Sequence, residues 1–371
     1  RRQTLGLLAE VNIPRLRYAD ALKAIDPADA DEPETRRSRV DFDLRRARVM
    51  ALTGDRAGAV KLFGEVAASL QAPPDQIVNR ELLDLPVLRR SLVRAEIRVG
   101  LRELACEHAG TFLGAPGPVL PEGRTETLFD LLFGSDADAA DALFHALLNR
   151  PDTKADPGAT MKRVRELLLG TAPAAAVGPA LEALAGEPAP APGASPFMTD
   201  AMTQRRRRLN RVTAAAVVAR AAGRHAEAEA AYAKAAEGAT EDPVSGGARA
   251  GVYGVSDSYR PWADYGDFLA DAAEAYHRGW KTFPDAPLLL FLSGKALVRA
   301  GKAEEGRRRV ELSHWVPLGN ERVRGKFLEE LTRRGEAKAA ARETDLLLRA
   351  CWSRDFYFGN VINQAARASV L

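Results

Sequence analysis

The chain has 371 residues, 46% hydrophobic but only 6% aromatic, enough apolar material for a core that must rely on small side chains to bring helices close. Its 53 basic and 50 acidic residues nearly cancel to a formal charge of +3, so no global field argues for nucleic acid or an anionic membrane. Cys106 and Cys351 stand outside any CxxC and indicate neither a disulfide framework nor a thiol zinc site, and no run of about 18 apolar residues suggests a membrane-spanning helix.

From the N-terminus, residues 40–73 read as a helical hairpin turning at GDRAGA, 54–59. Residues 84–115 read as another, turning near Gly100, and 125–170 hold two or three helices broken by PDTKADPGAT at 151–160. The composition then changes, and a Pro/Ala-rich segment at 186–199 suits an extended linker between an N-terminal array, 1–185, and a C-terminal array, 200–371. Beyond it, GRHAEA at 223–228, GKAEEG at 301–306 and GEAKAA at 335–340 repeat the turn block, with Gly301 and Gly335 34 residues apart. A fixed period of that length, with a turn glycine between amphipathic helices, is the signature of stacked helical hairpins.

Small and apolar residues recur at spacings of three and four: Val212, Ala215, Ala216 and Ala219, then Ala228, Tyr232 and Ala235; Leu290, Ser293, Gly294 and Leu297, then Gly306, Val310 and Ser313. The Gly-rich stretch 245–261 is expected to be an inserted loop. Between Gly223 and Gly301 lie 78 residues, and counting from Trp262 or from Pro284 gives registers that differ by six. Either a six-residue hairpin turn is missing after Ala270, or Tyr265, Phe268, Leu269, Ala272, Tyr276, Trp280 and Phe283 form the stripe of one long helix.

These positions resemble the tetratricopeptide repeat family over 209–242 and 287–354. The resemblance extends to 40–73, where Ala47, Met50, Gly54, Ala59 and Phe63 fall in register before Pro73. The resemblance implies an all-α, right-handed α-solenoid of helix-turn-helix repeats. Thr344 stands where that pattern has an aromatic residue, and Arg46 and Arg324 stand where it is apolar.

Residue chemistry points away from catalysis. Gly294-Lys295 lacks the upstream glycine and the following Ser or Thr of a phosphate-binding loop, and the glycines at 246, 247, 251 and 254 make no GxGxxG. None of His108, His145, His225, His277 and His314 has the spacing of a zinc hydrolase, and the offset of Cys106 from His108 points them to different faces of a helix. No metal or cofactor is expected. The run Arg205, Arg206, Arg207 and Arg208 reads as the start of a helix, where the dipole disfavours cations; it calls for neighbouring carboxylates or, alternatively, for a bound polyanion.

In the family resembled, ligands lie along the first helix of each hairpin. Projecting the register there places Phe291, Lys295 and Arg299 on one repeat, Arg322, Lys326, Glu329 and Arg333 on the next, and Phe356, Asn360 and Asn363 on the last. Asp264, Asp267 and Asp271 precede them, so the wall changes sign along its length. The expected function is a non-enzymatic scaffold or assembly subunit binding a protein or peptide partner in the concave groove. The alternatives are a regulatory module contacting nucleic acid or another polyanion through Arg205–Arg208, and the helical interaction region of a larger enzyme whose catalytic domain lies upstream. The chain opens on Arg1, so residues upstream are expected; a cytoplasmic setting is expected, with an exported or anchored form left open.

Overall fold

The computed structural model describes residues 36–71, 79–114, 127–149, 156–188, 200–240, 259–316 and 321–350, with residues 20, 21 and 23. Among the described residues every regular element is helical. The chain divides into two compact units, Arg1–Ala214 and Ala215–Leu371.

The first unit contains α1 (Arg36–Leu52), α2 (Arg56–Ser69), α3 (Asn79–Arg98) and α4 (Arg102–Gly114), followed by α5 (Leu128–Phe133), α6 (Ala137–Leu148), α7 (Pro157–Leu168) and α8 (Ala174–Ala185). Local chemistry sets their starts. Asp55 accepts from the Gly58 amide at the head of α2, Thr127 and Asp130 form a capping box at α5, and Asp156 caps α7 with Pro157 at its first position. The core of α1 to α4 is built from Leu44, Ala47, Phe63, Leu92, Val93 and Ala105, each at most 5% exposed. Further along, α7 packs on α4 as well as on α6, so this unit is more than a row of sequential neighbours.

Helix α9 (Asp200–Ala221) carries the division between the units, which falls after Ala214. The second unit continues with α10 (His225–Thr240), α11 (Arg260–Phe268), α12 (Ala273–Thr282), α13 (Pro287–Arg299), α14 (Ala303–Ser313), α15 (Glu321–Arg333) and α16 (Ala337–Ala350). The expected loop 245–261 ends earlier than its sequence suggests, because Arg260 and Pro261 already belong to α11; residues 245–258 lie outside the described residues.

The long helix considered for 265–283 is not formed. Leu269 is extended and separates α11 from α12, which pack against each other as a hairpin. A continuous stripe cannot distinguish the two arrangements, but packing does. Phe268 reaches back to Tyr232 of α10, with ring centroids 5.2 Å apart, and Tyr276 lies over Gly266 within the hairpin. One straight helix would separate those partners.

Several of the hairpins share one turn. After α13 the Gly301 amide donates to the Val298 carbonyl and the Lys302 amide to the Leu297 carbonyl, satisfying groups that the helix end leaves unpaired. Gly301 has φ +83°, where a side chain is strained, and the same pair of bonds recurs at Gly100, Gly223 and Gly335. Five residues beyond the turn glycines, Ala59, Ala105, Ala228, Gly306 and Ala340 are all buried. Small size there is a steric requirement: a Cβ on Gly294 of α13 would stand 2.6 Å from the Gly306 carbonyl oxygen of α14.

Two substitutions separate the turn from the crossing. Gly301→Ala should cost about 1 kcal/mol from the left-handed backbone, and Gly294→Val about 3 kcal/mol because the obstacle is main chain. Urea unfolding of the full chain, followed by far-UV circular dichroism, measures both; equal small losses would show that the close crossing is dispensable.

Candidate functional site

In the second unit the first helices of successive hairpins lie side by side: α11 touches α13, and α13 touches α15. The sequence places its partner-binding residues along these first helices. Arg299 and Glu329 are exposed there, and Lys326 is half-buried beside Tyr259, Pro287 and Leu288. Lys295 is directed to the next hairpin, its Nζ 2.9 Å from Glu336 Oε2, and Arg333 pairs with Glu330 on its own helix at 2.6 Å.

Phe291 is not on this wall. It is 1% exposed and meets Phe327 and His314 edge-on at 5.9 and 6.3 Å, so it serves the core and offers no apolar contact to a ligand. Arg322 lies in α15 but its side chain, like Phe356, Asn360 and Asn363, lies outside the described residues.

The acidic end of the wall is also engaged internally. Both carboxylate oxygens of Asp267 accept from the Arg334 guanidinium, at 2.8 and 2.6 Å, and Oδ1 accepts from the Tyr276 hydroxyl at 2.6 Å. Burial and the Asp267 bond push the Tyr276 phenol well above its ordinary range, so it remains a donor. This bridge joins the hairpin of α11 to the end of α15, across α13. Projection of the repeat named Asp267 and Arg333 but passed over Arg334. The signal available was separation: Asp267 and Arg334 are 67 apart, one short of two 34-residue periods.

Two buried arginines occupy equivalent places. Arg89 and Arg324 each stand eleven residues before a turn glycine, Gly100 and Gly335. Each clamps the end of the preceding hairpin: Arg89 Nε and Nη2 donate to the Leu70 carbonyl at 3.2 and 3.0 Å, and Arg324 Nη1 to the Ser313 carbonyl at 3.2 Å. A cation there meets the negative end of the helix dipole. Arg324 thus has a structural task, and it also holds Glu343 at 2.6 Å, whose Oε2 lies 3.0 Å from His314 Nδ1. Glu343 is fully buried. In the first unit Glu96, likewise fully buried, faces His108 Nδ1 at 2.6 Å, and burial holds its pKa above the ordinary carboxylate value despite that bond.

Helix α9 starts at Asp200, so Arg205–Arg208 sit beyond its first turn and not at its N-terminus as the sequence suggests. The dipole therefore places no special demand on them. Arg208 donates through Nε and Nη2 to Glu187, at 3.1 and 3.0 Å, supplying the carboxylate partner foreseen for the run.

One larger cavity lies in the first unit, about 210 Å³, bounded by Ile97, Leu131 and Leu168 with Arg102, Arg165 and Cys106. Burial pushes the Cys106 thiol up to about 11, which keeps it protonated and a poor nucleophile at neutral pH. Comparison with models of known protein families finds no match, and comparison with curated proteins finds none either.

The two clamps differ in one respect that can be measured. Arg89→Met should cost about 1–3 kcal/mol for its lost bonds. Arg324→Met should cost about 3–5 kcal/mol, because it also strands the Glu343 charge in the core. Chemical denaturation that ranks them in the opposite order would remove the charge argument.

Glu96 sets a pH dependence of definite sign. Its folded pKa is raised, so the native state holds the proton longer than the unfolded chain and stability falls as pH climbs from the unfolded carboxylate value through the folded one. Glu96→Gln keeps a hydrogen-bonding partner for His108 and should flatten that fall. Melting temperatures recorded across the interval for both proteins check it.

Proposed function

We propose that this chain is a non-enzymatic interaction scaffold, a right-handed α-solenoid of hairpins resembling tetratricopeptide repeats that holds a protein or peptide partner along the wall of its first helices. The observation that carries the proposal is the side-by-side contact of α11, α13 and α15, which gives alternate helices one continuous face. Recurrence of one glycine turn with one buried small residue after it supports the same architecture, since identical turns generate identical steps.

The partner suited to this wall is an extended segment of mixed charge. Arg299 and Lys326 bring positive charge and Glu329 negative charge over two hairpins, and charge-assisted hydrogen bonds from such groups fix register and orientation in a bound peptide. Arg205–Arg208 have no part in this reading.

Cross-linking and affinity capture with the full chain, followed by mass spectrometry, should recover a partner. Arg299→Glu with Lys326→Glu should weaken its binding about tenfold or more while circular dichroism stays unchanged. A partner retained equally by this variant would place the binding surface elsewhere.

A further inference from the structure

The cavity of the first unit lies between the α3–α4 turn, α5 and α7. Its lining is two-sided. Ile97, Leu131, Leu132 and Leu168 supply apolar surface, and Arg102 and Arg165 supply two cations against the single acid Asp136. Arg102 stands one turn before Cys106 on the same face of α4, and Arg102, Arg165 and Cys106 all line the cavity.

Their present partners hold them weakly. Among the described residues Arg102 makes no ion pair, and Arg165 reaches Glu103 only at 3.7 Å, through a carboxylate that is 73% exposed. Such a contact contributes little and is readily exchanged. A cavity of about 150 Å³ suffices for a benzene ring when its walls are apolar. The space here is larger, about 210 Å³, and its cationic lining suits an anionic head better than a purely apolar guest.

We propose that this cavity binds a small anionic amphiphile, a medium-chain carboxylate whose head is held by Arg102 and Arg165 and whose tail lies along Ile97, Leu131, Leu132 and Leu168. The site is independent of the scaffold reading and places a ligand-responsive element where α4 and α7 pack together.

Titration calorimetry on the full chain with octanoate, octan-1-ol and acetate tests it. Octanoate should bind saturably, one per chain, with octanol and acetate each weaker by about tenfold or more, since one lacks the charge and the other the tail. Arg102→Gln with Arg165→Gln should weaken octanoate about tenfold and leave octanol unchanged. Arg102 is exposed, so Arg102→Gln alone keeps the test valid if the double variant fails to fold; it should weaken octanoate several-fold. Octanoate that does not saturate, octanol that binds as well, or binding indifferent to the arginine substitutions would each overturn the proposal.

Discussion

The closeness of the two helices in a hairpin governs the second unit. At the α13–α14 crossing Gly294 faces Gly306, and the main chains approach to a distance that no Cβ would permit. Ser293, fully buried beside Gly294, then donates to the Ala273 carbonyl at 3.1 Å, while Arg309 of α14 donates to the same hydroxyl. A tight crossing thus brings polar groups of three helices into one bonded chain, tying α12 to the hairpin that follows. At this crossing the contact is dispersion between densely packed small residues.

Joining one hairpin to the next poses a different problem, because every second helix ends with unpaired carbonyls against the incoming first helix. Arg89 and Arg324 answer it in the same way in separate units, by reaching back to the preceding helix end. Burial lowers the pKa of both guanidiniums, yet from so high a starting value that they stay charged. The Arg324 site adds Glu343 and His314, which meet on one carboxylate oxygen, Oε2, while the buried Oε1 is left without a hydrogen-bond partner.

What the sequence displayed follows from how local each requirement is. Turn glycines and the small residue five places later were legible, since a left-handed backbone and a close crossing each restrict one residue type. The hairpin at Gly100 was legible too, although its place in the shared register emerged only with burial of Ala105. The α11–α12 break was not decidable, because the same apolar stripe fits one helix or two. Phe291 reads as a wall residue in the sequence because projection gives direction around a helix but not how deeply the next hairpin covers it. The Asp267–Arg334 bridge depends on how successive hairpins pack; its separation of 67 residues lies near two repeat periods, but no residue type marks it. Arg324 looked anomalous only while its partner, the Ser313 carbonyl, was invisible to side-chain patterns.

The bridge from Asp267 to Arg334 has a mechanical meaning. It spans from the hairpin of α11 to the end of α15, over the intervening α13, so it acts as a tie-rod that limits how far this stretch can straighten. Its guanidinium is only 16% exposed, which shields the tie from screening by salt more than a surface pair would be. Bending stiffness is therefore set by one side-chain contact as well as by the helices.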